Sequence, residues 1–79
     1  MSGTEVARVY QAHANALGET SDALQWLMRA AMADQEPDTF ERVMALSRVL
    51  GRQEIERSAQ QALEALRDGH APHLTHWTN

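Results

Sequence analysis

The sequence predicts an all-α protein, and three observations carry that prediction. No stretch alternates apolar and polar residues with period two, and no Asn-Gly or Asp-Gly hairpin turn is present. Apolar residues instead recur at threes and fours along nearly the whole chain. Residues suited to start or stop helices sit where that rhythm begins, pauses and ends.

The first element opens at SGTE. Ser2 is placed to cap, with Glu5 three residues on to complete a capping box. Val6, Tyr10, His13, Leu17, Thr20, Leu24, Leu27 and Ala31 then step by fours and threes in a heptad-like stripe, weakened by His13 and Thr20. The stripe crosses LGETSD, where Gly18 suits a stop and Thr20 or Ser21 a new start. Either one long helix runs over about 3–33, or two helices meet near 18–20.

The next boundary falls at ADQEPDTFERV. Residues 34–37 read as a short loop, with Pro37 followed by Asp38 as cap and Glu41 as its capping-box partner. A second arm over about 38–68 carries Phe40, Val43, Met44, Leu46, Leu50, Ile55, Ala59, Ala62, Leu63 and Leu66. Its rhythm slips at Gly51, which predicts a kink or a break. Gly69 and Pro72 stop it, and Arg67 suits its last turn.

The layout expected is therefore a helical hairpin of two long arms, or four short helices if both arms break near Gly18 and Gly51. Residues 1–69 form one domain and 70–79 a C-terminal tail. In the hairpin form the arc containing Ala23, Leu24, Trp26, Leu27, Met28 and Met32 exceeds what one seam covers. Dimerisation into a four-helix bundle is the expected remedy. Four short helices could enclose a small core alone.

Composition narrows the function classes. The chain has 79 residues and no cysteine, so disulfides and thiolate metal sites are excluded. Net charge is −4 and all seven basic residues are arginine, a poor balance for nonspecific nucleic-acid binding. No apolar run is long enough to span a membrane. MSGTEVARVY lacks the pattern of a secretory signal, which leaves the cytoplasm as the expected compartment.

Several groups of residues are candidates for chemistry. His70, His73 and His76 recur every third residue, so an extended polyproline-like tail would align three imidazoles for zinc, copper or nickel. A tail offers little support for a fourth ligand, and the expectation is a polar tail without bound metal. His13 has no nucleophile motif near it to serve as base, and no catalytic residue or cofactor is expected. Asp34, Glu36, Asp38 and Glu41 gather at the turn, where capping and solvation account for them. Arg48 and Arg52 could meet phosphates if SRVLGRQEIERSAQQAL were a helix-turn-helix, but Glu54, Glu56 and Glu64 on the second helix oppose that. Ion pairs from Arg48 or Arg52 to Glu41 or Glu56 are the plainer expectation.

The apolar surplus remains. Trp26, Met28, Met32 and Phe40, with Trp77 in the tail, are the candidate contacts for another protein. The expected function is a non-enzymatic interaction module: an adaptor, chaperone or inhibitor, most simply a homodimer. The alternatives are a small dimeric DNA-binding regulator and a histidine-tail metal binder. The layout is similar to that of many small bacterial or phage helical-hairpin proteins, a likeness of architecture that does not fix function.

Overall fold

The computed structural model describes residues 2–70. It contains four helices: α1 (Gly3–Leu17), α2 (Ser21–Asp34), α3 (Pro37–Val49) and α4 (Gln53–Arg67), with no strand among the described residues. Met1 and the tail from Ala71, including His73, His76 and Trp77, lie outside the described residues.

Of the two layouts, the chain takes the four-helix one, broken at both glycines. Gly18 takes φ +70° and ψ −146°, a conformation open to glycine and strained for other residues. Two residues later the Thr20 hydroxyl accepts the Ala23 N–H at 3.1 Å and starts α2. At Gly51 the Arg52 N–H bonds to the Ser47 carbonyl (2.7 Å) and the Gly51 N–H to that of Arg48 (3.2 Å). That pair of bonds, with Gly51 at φ +70°, is a Schellman ending of α3. The same pattern closes α4, with His70 N–H on Ala65 and Gly69 N–H on Leu66.

The capping box expected at Asp38 and Glu41 is corrected. The N-cap of α3 lies two residues earlier, at Glu36, and the helix begins on Pro37, whose fixed φ and missing N–H suit a first helical position. The junction is held by Asp34. Its carboxylate accepts the Glu36 N–H at 3.0 Å and the Thr39 hydroxyl at 2.7 Å. At the other end of the chain Ser2 does cap α1, accepting the Glu5 N–H at 3.2 Å.

Each helix packs on its neighbour in sequence: α1 on α2, α2 on α3, and α3 on α4. Helices α1 and α2 are antiparallel, because Gly3 at the start of one lies against the Ala33 carbonyl at the end of the other. A Cβ at Gly3 would overlap that oxygen. The buried face of α1 is made of Ala7 and Ala14, with Ala23 and Ala30 buried on α2, so small side chains permit this close approach. Helices α3 and α4 are likewise side by side: Arg48 meets Glu56 near their turn and Arg67 comes within 4.0 Å of Glu41 at the far end.

The core lies among α2, α3 and α4. It is built from Leu24, Leu27, Met28 and Ala31, from Phe40 and Val43, and from Ile55, Ala59, Ala62 and Leu63. Burial of the leucine, methionine, phenylalanine, valine and isoleucine side chains contributes about 1.5–3 kcal/mol each, and that of the alanines less. The radius of gyration is 11.3 Å, close to the roughly 11.5 Å of a globular monomer of this length. The breaks at Gly18 and Gly51 thus let a single chain enclose its own core, without a second chain.

Candidate functional site

The five candidate contact residues separate by position. Phe40 is fully buried and Met28 nearly so, both in the core. Neither is on the surface of this fold, because α2 and α3 pack on each other across the short junction between them and both residues lie in the shared core. Met32 is half-buried at the edge of the core, and Trp77 is among the residues not described. Trp26 is partly exposed and has an aromatic surround.

That surround joins α1 to α2. The Trp26 ring lies 5.5 Å from Tyr10, tilted by 45°, and 4.5 Å from His13 in an edge-on contact. The Arg29 guanidinium stands 4.7 Å above the Trp26 ring on the same helix. Aromatic pairs of this kind contribute about 0.5–1.5 kcal/mol and an exposed cation–π contact about 0.5–1 kcal/mol. Trp26 is therefore held in place before any partner arrives. Beside it is an open hollow of ≈ 480 Å³, lined by Val9, Tyr10, Ala12, His13, Ala16 and Trp26.

The hollow continues onto the outer face of α1. Val9 is 58% exposed, one of two large hydrophobic residues so placed among the described residues, and Ala12 and Ala16 are exposed on the same side. Residues 9–18, VYQAHANALG, contain no aspartate, glutamate, lysine or arginine. Tyr10, His13 and Val9 belong to this surface and were not among the candidates. The uncharged run was the available signal, and His13, which interrupts the apolar stripe, is exposed.

Arg42 and Arg48 are engaged elsewhere. Arg48 donates from Nε and Nη2 to one Glu56 oxygen, at 2.8 and 2.7 Å. Arg42 donates to the amide oxygens of Gln11 (2.5 Å) and Asn15 (2.7 Å), tying α3 to α1. The outward side of α4 mixes Glu54, Arg57, Gln60, Gln61 and Glu64. Among the described residues no group of three or more histidine, aspartate or glutamate side chains is arranged to hold a metal ion. His70 is exposed at the end of α4, and the rest of the histidine series lies beyond the described residues. No helix among the described residues is long and apolar enough to cross a membrane.

The arrangement defines a class: a four-helix all-α protein with an aromatic-edged apolar strip on its first helical pair. Compared with protein-family models, curated proteins and solved structures, the chain matches none.

Proposed function

We propose that this chain is a small non-enzymatic interaction module of the cytoplasm, which binds protein through the outer face of α1 and the Trp26 edge of α2. The observation that supports this reading is the exposed, uncharged strip Val9–Ala12–Ala16 next to a Trp26 already fixed by Tyr10, His13 and Arg29. Tryptophan, tyrosine and arginine are the residues on which binding energy concentrates, and a held ring loses little entropy when a partner covers it. The occupant belongs to the adaptor, chaperone or inhibitor class of interaction, or is a second copy of the chain.

The test compares the native chain with a Val9→Glu/Trp26→Ala variant, both shown to be helical by circular dichroism. Proteins retained by the immobilised native chain and lost from the variant are purified, and their affinity for each is measured. The expected outcome is at least a tenfold weaker affinity for the variant. If native and variant chains retain the same proteins and self-associate equally, the reading fails.

A further inference from the structure

We infer that the hollow enclosed by α1, α2 and α3 is a binding site for a small apolar α-amino acid, held by Arg42 and Glu19. It shares no lining residue with the hollow beside Trp26, so the two sites stand or fall separately.

The hollow follows from the way the first three helices stack. Among the described residues, α1 and α3 each pack on α2 but not on each other. The gap between them is bridged by the two hydrogen bonds from Arg42 to Gln11 and Asn15. Next to that bridge it opens into a space of ≈ 310 Å³, at the small end of the range of about 300–1,000 Å³ for ligand pockets. Ala14 of α1, Ala23 and Leu27 of α2, and Ala45 and Leu46 of α3 give it an apolar lining. The short alanine side chains leave the space unfilled.

Charge selects the occupant. Two charged groups line the same hollow, the Arg42 guanidinium and the Glu19 carboxylate. Both are exposed, and neither forms an ion pair among the described residues. Arg42 gives one N–H from each terminal nitrogen to an uncharged amide oxygen, which fixes the guanidinium in place and leaves its charge unbalanced. Glu19 follows the Gly18 turn and lies outside the helices. A carboxylate on Arg42 and an ammonium on Glu19 would match both charges. A short apolar side chain between them would cover the alanine and leucine lining. These three features meet on one carbon in an apolar α-amino acid. A simple fatty acid would instead set a second carboxylate beside Glu19, and a simple amine a second cation beside Arg42.

Exposure sets the strength. Both charges remain in contact with solvent, where an ion pair contributes little. The expected dissociation constant is about 0.1–1 mM.

Titration of the full chain with leucine, valine and methionine, followed through its amide chemical shifts, tests the assignment. Saturable shifts centred on Asn15, Gly18, Leu27 and Leu46 are expected for at least one of the three. For the tightest of them, the analogue lacking the amine (isocaproate for leucine) and the analogue lacking the carboxylate (isoamylamine for leucine) should each bind at least tenfold more weakly, because each leaves one protein charge unmatched. Arg42→Gln and Glu19→Gln should each weaken the amino acid at least tenfold. Arg42 also ties α3 to α1, so Glu19→Gln, in the turn, is the deciding variant. The absence of any saturable shift up to about 20 mM of all three amino acids overturns the inference. So does an analogue that binds as tightly as its parent, or an affinity unchanged in Glu19→Gln.

Discussion

Phe40 and Trp26 are both large aromatic residues, but the fold gives them opposite roles, and their substitution should separate stability from binding. Phe40 has 0% of its surface exposed and lies within the core formed by α2, α3 and α4. Phe40→Ala removes most of a buried ring and leaves a cavity, at a cost of about 3–5 kcal/mol. A domain of this length has a total stability of about 4–12 kcal/mol, and small cores fall toward the lower end. The variant is therefore expected to lose most or all of its helical signal at 25 °C. Phe40→Leu keeps most of the volume and should cost roughly 1 kcal/mol. Trp26 is half-buried, and Trp26→Ala forfeits its two ring contacts, the Arg29 contact and part of its buried area, about 2 kcal/mol in all. Urea denaturation followed by circular dichroism gives the three values on one scale. The expected order of loss is Phe40→Ala, then Trp26→Ala, then Phe40→Leu. A Phe40→Ala chain within 1 kcal/mol of the native one, or a Trp26→Ala chain that unfolds as completely, would refute the assignment of Phe40 to the core and Trp26 to the surface.

Other changes should be smaller and local. Gly51→Ala places a Cβ at φ +70° in the α3–α4 turn and should lower stability by about 1 kcal/mol with no steric clash, measured as a shift in the urea midpoint. Thr20→Ala removes the hydroxyl that caps α2 and should cost about 1 kcal/mol, while Thr20→Ser should cost only a few tenths; thermal denaturation distinguishes them. The Arg48–Glu56 pair joins side chains that are 65% and 25% exposed. A double-mutant cycle to alanine should therefore give a coupling of only about 0.2–1 kcal/mol, reduced further in 1 M salt.

What the sequence disclosed, and what it did not, follows the range of the forces involved. The stops at Gly51 and Gly69 were readable because a Schellman ending is made by bonds that reach no more than five residues back. The break at Gly18 was masked by the apolar rhythm, which keeps its phase from Leu17 to Leu24 although the chain reverses between them. A Thr20 cap and a glycine with positive φ outweighed that rhythm. At Pro37 the competing caps differed by only a few residues, and the Thr39 hydroxyl drew the junction to Asp34 rather than Asp38.

The candidate site was less legible for the same reason. Apolarity marked Trp26, Phe40 and Met28 alike, since what covers a residue depends on elements far away in sequence. Tyr10 and His13 meet Trp26 only because the chain folds back at Gly18. The stripe assigned to α1 ran through His13, but close packing against α2 selected the alanines on the adjoining side instead.

The succession α1 on α2, α2 on α3, α3 on α4 also bears on how quickly the native state is reached. Each pairing closes a loop between consecutive helices, so little chain entropy has to be lost before a contact forms. Proteins dominated by such local contacts fold in microseconds to milliseconds. Helix α1 stands at one end of the succession, fastened by its alanine face and by the two Arg42 hydrogen bonds. As terminal members of the succession, α1 and α4 should exchange their amides with solvent ahead of α2 and α3.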